Sequence, residues 1–218
     1  MMSIMYLLVK GVLSSTVGLV RLSYCKKTLK VDGSSCQTMG VIASTPWAMK
    51  GTIGVISDAY PLFGYHKNSY ILLAGALGST AFFWLAVFPE QTVTSAALLF
   101  MLGNFEIAIA DLLCEGQYAG LMKTKPKSGS SMVSFVWGCC MVGGLVASSF
   151  VGPVADAFDP QILFWVCVPL AASIVVPTAL GYLSDQVRNL YIPVERKMMM
   201  VVFDRRWLKT KGDFKSLC

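Results

Sequence analysis

Charge is the first thing this sequence is short of. Asp, Glu, Lys and Arg make up 14% of its 218 residues, where a soluble domain carries roughly 25%. Hydrophobic residues reach 55% and mean hydropathy is +0.62. That balance excludes an ordinary soluble core and fits a chain solvated mainly by lipid. Histidine is scarcer still, with His66 alone. The seven cysteines contain no CxxC spacing, so a structural zinc site is excluded. No G-x-x-x-x-G-K-[S/T] loop is present, and nothing in the chain is built to hydrolyse a nucleotide. No cofactor is expected. A basic stripe interleaved with exposed aromatics is also missing. The net charge of +6 is concentrated near the C-terminus and in short connectors, which is a membrane pattern and excludes nucleic acid as a partner. The first residues lack a basic n-region and an A-x-A-like cleavage site, and Lys10 interrupts the apolar run. Residues 4–22 therefore read as a retained helix rather than a signal peptide.

What the chain does have is long apolar segments. Residues 4–22, 36–57, 70–88, 92–122, 132–154 and 162–183 each reach the roughly 20 residues that a spanning helix needs. No connector between them is long enough for a soluble domain. The expected architecture is an all-α integral membrane protein, with a six-helix bundle over residues 1–187 and a basic cytoplasmic tail over 188–218. Small residues four apart, Gly116 with Gly120 and Gly144 with Ser148 and Gly152, would let helix backbones approach closely. Pro46, Pro153, Pro169 and Pro177 predict kinked or interrupted helices.

The connectors set the orientation. Lys67 follows the second segment, Lys123, Lys125 and Lys127 follow the fourth, and the basic tail follows the sixth. The opposite connectors carry Glu90, and Asp156 with Asp159. Both termini are therefore expected in the cytoplasm, with the plasma membrane as the expected location. Arg21, Lys26, Lys27 and Lys30 follow the first segment and run against this rule. Cys25 and Cys36 flank that same loop, and can bridge if it is extracellular and the geometry allows.

Ionisable groups inside a span cost roughly 2.5–3.5 kcal/mol each even on the lenient insertion scale, so they mark function by default. The second segment holds Lys50 and the fourth holds Glu106, Asp111 and Glu115. Asp111 and Glu115, four apart, share a helix face. Glu106 lies about 140° away from Asp111 at roughly 100° per residue. The economical arrangement pairs Lys50 with one of these acids across a central cavity and leaves the other to bind protons or substrate. The same pair also reads as a structural tie between two helices, and Glu115 near the helix end as a snorkelling side chain. Two acids on one helix also suit a membrane hydrolase, but no second helix supplies an opposing acid, so no enzyme is expected.

The stretch PWAMKGTIGVISDAYPLFGYHKNSY, residues 46–70, carries more than Lys50. Gly54, Ser57 and Asp58 followed by Gly64, Tyr65, His66 and Lys67 resemble the loop motif between the second and third helices of the major facilitator superfamily. The runs PWAMKGTIGVISDAYPLFGYHKNSYILL, DLLCEGQYAGLMKTKPKSGSSMVSFVWG and VGPVADAFDPQILF resemble the folate–biopterin transporter family of that superfamily, in its trypanosomatid form. The resemblance covers most of residues 38–183. It implies the six-helix N-terminal half of a transporter, and gradient-driven movement of folate, biopterin or a related pteridine across the lipid bilayer. Lys50 and Asp111 resemble the family's intramembrane lysine and acid, which makes them candidate substrate or coupling residues. Glu106 and Glu115 are further candidates, and Trp47 could stack on a pterin ring. Gly54, Asp58, Gly64, His66 and Lys67 are implied in gating. Gly51 stands where the family usually has proline, and His66-Lys67 where it usually has two arginines. The chain stops at Cys218, after one half, so a second half or a second copy is implied as a partner. A non-transporting membrane protein that keeps the fold is the alternative reading.

Overall fold

The computed structural model describes residues 5–60, 68–124 and 129–180, all within the first of two units, Met1–Asp185. Gly64, Tyr65, His66, Lys67, Lys125, Lys127 and the tail at 188–218 lie outside the described residues. Regular structure among the described residues is helical throughout: α1 Met5–Lys27, α2 Gly33–Ala48, α3 Lys50–Ala59, α4 Asn68–Val87, α5 Val93–Thr124, α6 Gly129–Ala157, α7 Ile162–Ala172 and α8 Val175–Ala179. Among the described residues five helices are long and apolar enough to cross a membrane: α1, α4, the part Val93–Gly116 of α5, α6, and the run Ile162–Ala179 that holds α7 and α8. The chain is a multi-pass, all-α membrane protein.

The second segment is interrupted, as Pro46 predicts, and it is not among the five long apolar helices. Pro46 has no N–H to give, and its ring crowds the carbonyl one turn back. Three residues later Met49 leaves the helical region at φ −88°, ψ 0°. Its N–H still reaches Thr45 O at 3.2 Å, and its own carbonyl opens α3 by accepting from Ile53. The result is two pieces, of 16 and 10 residues. The last segment behaves similarly beyond Pro169, where Ser173 and Ile174 separate α7 from α8. Pro153, by contrast, sits inside an unbroken α6.

α5 is the hub. It packs against α2 on one side and α4 on the other, and α4 in turn packs on α7. α1 leans on α6, and their crossing is set by glycine. A Cβ on Gly143 would lie 2.5 Å from Leu7 O and 2.7 Å from Gly11 Cα, both rigid backbone atoms. The expected small-residue rows are displaced from this contact. Gly120 and Gly152 meet nothing within 4 Å, and Gly144 meets only Ser15 Oγ. Periodicity alone marks every small residue on a helix; only the three-dimensional crossing selects one. Gly143→Ala should therefore destabilise by about 1–3 kcal/mol through overpacking, while Gly138→Ala, which faces open space, should leave stability unchanged. Thermal unfolding of the purified variants in detergent checks both.

One end of the bundle is closed by an aromatic plug and a covalent tie. Tyr24, Phe100 and Phe164 are fully buried, and their rings meet edge-on at centroid distances of 5.3–6.1 Å. Cys25 and Cys36 form a disulfide that joins α1 to α2, with Cα atoms 5.9 Å apart. At the same end Lys27 donates to Ala155 O and pairs with Asp156 at 3.7 Å, while Thr28 Oγ1 donates to Asp159 at 3.3 Å. The basic loop after α1 and the acidic turn after α6 thus share one end of the bundle. Part of the loop's positive charge is answered locally.

Candidate functional site

Asn104, Asp111 and Glu115 stand seven and four residues apart, so α5 lines them along one stripe. That stripe faces the broken α2–α3 junction and the start of α1. The break matters because it makes Lys50 the first residue of α3, where a side chain is not confined by a preceding helical turn. Its Nζ lies 2.6 Å from Asp111 Oδ2 and 2.6 Å from Glu115 Oε2. A cation at a helix N-terminus is disfavoured by the helix dipole, typically by about 0.3–1 kcal/mol. The Coulomb attraction of a pair even ~4 Å apart is about 4 kcal/mol at an effective dielectric of about 20, before desolvation is counted, so the carboxylates decide the geometry.

A second lysine comes from α1. Lys10 Nζ lies 2.7 Å from Asp111 Oδ1 and 3.9 Å from Glu115 Oε1. It belongs to Met5–Leu13, where α1 winds as a π-helix, a form that commonly accompanies functional positions. The rings of Trp137 and Tyr6 stand 5.0 and 5.4 Å from its ammonium, and Trp47 stands 5.8 Å from that of Lys50, within cation–π range. Two ammoniums thus face two carboxylates with no net charge. Asp111 is the inner member, its side chain 1% exposed; Glu115, at 37%, is the outer one. The cavity between Tyr6, Lys10, Asp111 and Cys114 measures only about 10 Å³, room for no more than one water.

The sequence expectation is met in part. Lys50, Asp111 and Glu115 do come together, but neither acid is left over, because Lys50 takes both and Lys10 shares them. Glu106 points away, into α4. Trp47 is half-buried beside Lys50, and its indole N–H donates to Asn104 Oδ1 at 3.2 Å. Gly54 packs on Leu112 at the α3–α5 contact, and Asp58 is exposed at the end of α3. Sequence reasoning passed over Lys10 and Asn104. The signal for Lys10 was present, since an ionisable group inside a span marks function by default; it served only to argue against a signal peptide. Among the described residues no group of three His, Cys, Asp or Glu side chains could hold a metal ion. A larger groove of about 260 Å³ between α2 and α5 is lined by Ser34, Thr38, Val93 and Thr94, with no charged residue.

The sequence model of the BT1 family matches residues 10–204. The chain is similar to a folate-biopterin transporter of Synechocystis sp., at 28% identity over 160 residues, which covers 72% of this chain and 31% of that protein. It is also similar to the probable folate-biopterin transporter 2 of Arabidopsis thaliana, at 28% over 123 residues, 56% of this chain and 25% of that one. Folate transporter 1 of Plasmodium falciparum is 31% identical over 72 residues, 33% of this chain and 14% of that one. These matches span about a third or less of each relative's length. No solved structure matches the chain.

Proposed function

The chain belongs to the BT1 family, and from that premise we propose that it serves the transport of folate, biopterin or a related pteridine across a membrane. The observation that carries the reading is the neutral cluster of Lys10, Lys50, Asp111 and Glu115. Glu115 is its exposed and replaceable member. A carboxylate of an incoming folate takes the place of Glu115 at Lys50, while Asp111 holds both lysines in position. The freed acid accepts from the amino and ring N–H groups of the pterin, and Trp47 offers a flat face for the ring. Exchange of one ion pair for another keeps the desolvation cost low, since no lysine is ever left alone in lipid. The tightness of the cavity implies that α1 or α3 moves to admit the solute.

The bundle acts as the N-terminal half of a major facilitator fold, residues 1–187, with 188–218 as its cytoplasmic tail and its partner half supplied by further chain or by a second copy. Both termini face the cytoplasm, at the plasma membrane. The Cys25–Cys36 disulfide supports placing the α1–α2 end outside, because such bonds persist in oxidising compartments. Gly54 and Asp58, with Gly64, His66 and Lys67, are assigned by resemblance to the cytoplasmic gating loop. Transport here needs no covalent chemistry, cofactor or nucleic acid. The test is uptake of labelled folate and biopterin by transport-deficient cells expressing the protein. Uptake above the vector control supports the reading; none for either solute contradicts it and favours a membrane protein that keeps the fold without transporting.

A further inference from the structure

Glu106 is 1% exposed, yet neither of its carboxyl oxygens has a hydrogen-bond partner among the described residues. Its position is built around it. On α4, Gly78 is so close that a Cβ there would collide with Glu106 Oε2, and one on Gly75 would lie 3.9 Å from Oε1. Ile174 and Val175 close the same notch from the other side, 3.2 and 2.7 Å from that Gly75 position. The neighbouring helices bring no counter-charge. Tyr70, the one titratable residue of α4, donates its hydroxyl to Tyr60 O. α7 brings the Cys167 thiol within electrostatic reach, and α8 has no titratable residue. Lys10 and Lys50 sit with Asp111 and Glu115, on another face of α5.

A bare carboxylate in such surroundings is far costlier than an ion pair, and buried acids of this kind hold a proton instead. We propose that Glu106 is a proton-binding site, separate from the lysine cluster, that keeps its proton while α4 and α8 lie closed on α5. Release breaks the carboxyl O–H bond and passes the proton to water that enters when the notch opens. The neutral acid fits the glycine-lined notch; the anion requires the helices to part. Proton occupancy is thereby tied to helix separation. Proton binding at Glu106 does not depend on the transport reading; its coupling to a solute does.

Infrared spectroscopy of the purified protein in lipid vesicles tests the site without any transported solute. At neutral pH the wild type should show the carbonyl stretch of a protonated carboxyl, absent from Glu106→Gln and retained in Asp111→Asn. Gly78→Ala, which pushes on the carboxyl, should shift the band. A wild type without the band, or a band that Glu106→Gln leaves intact, overturns the proposal. Should Glu106→Gln not fold, the wild-type spectrum and the Gly78→Ala shift decide instead: a band that does not move counts against Glu106. These outcomes are independent of whether folate uptake is seen.

Discussion

Replacing Asp111 with alanine is expected to cost about 3–5 kcal/mol of stability, the usual loss when one partner of a buried ion pair is removed. Asp111 touches both lysines, at 2.7 and 2.6 Å, and its side chain is 1% exposed, so water cannot replace it. Without it, Lys10 and Lys50 must share Glu115, which Lys10 reaches only at 3.9 Å, and two ammoniums repel across the same space. The loss should be conditional on charge. Lys10→Met combined with Asp111→Ala leaves one lysine on one acid and should recover most of the stability. The double-mutant cycle, read by thermal unfolding in detergent, isolates the coupling. Additive losses would mean that Lys10 and Asp111 do not form the pair described here.

Phe164→Ala should be nearly as damaging, at about 3 kcal/mol, the lower end for a buried phenylalanine. The lower end applies because the reference state lies in lipid, where the apolar transfer contribution is small and lost packing dominates. Phe164 is fully buried and meets Tyr24 at 5.3 Å and Phe100 at 5.6 Å, so truncation leaves a hole among three helices that cannot collapse. Phe135 is the control. It is 57% exposed on α6, and its removal exchanges protein surface for lipid contact. A melting temperature that falls equally for Phe135→Ala and Phe164→Ala would contradict the assigned packing.

How much of this was legible beforehand differs between fold and site. Segment length and apolarity located the helices because a span of hydrocarbon imposes a minimum length. They did not place the break at Met49: Pro46 marked an interruption without fixing its position, and a proline need not break a helix, as Pro153 in α6 shows. Asp111 and Glu115 were readable as one face from their four-residue spacing. That Lys50 would hold both was not, because it depends on the break freeing the lysine at the start of α3. The cost of charge inside a span picked out Lys50 and Asp111 and the resemblance added the loop motif; neither showed that Lys10 joins the cluster or that a glycine notch surrounds Glu106. Both depend on which helix lies beside which, and spacing along one helix does not encode that.

In the proposed exchange an anionic group of the solute displaces Glu115 from Lys50, and binding of labelled folate to the purified protein in lipid vesicles, wild type against Lys50→Ala, reports on it. Saturable binding by the wild type, weakened at least ~10-fold by Lys50→Ala as the loss of a buried charge-assisted contact requires, is the predicted result. Folate bound equally well by Lys50→Ala would contradict it.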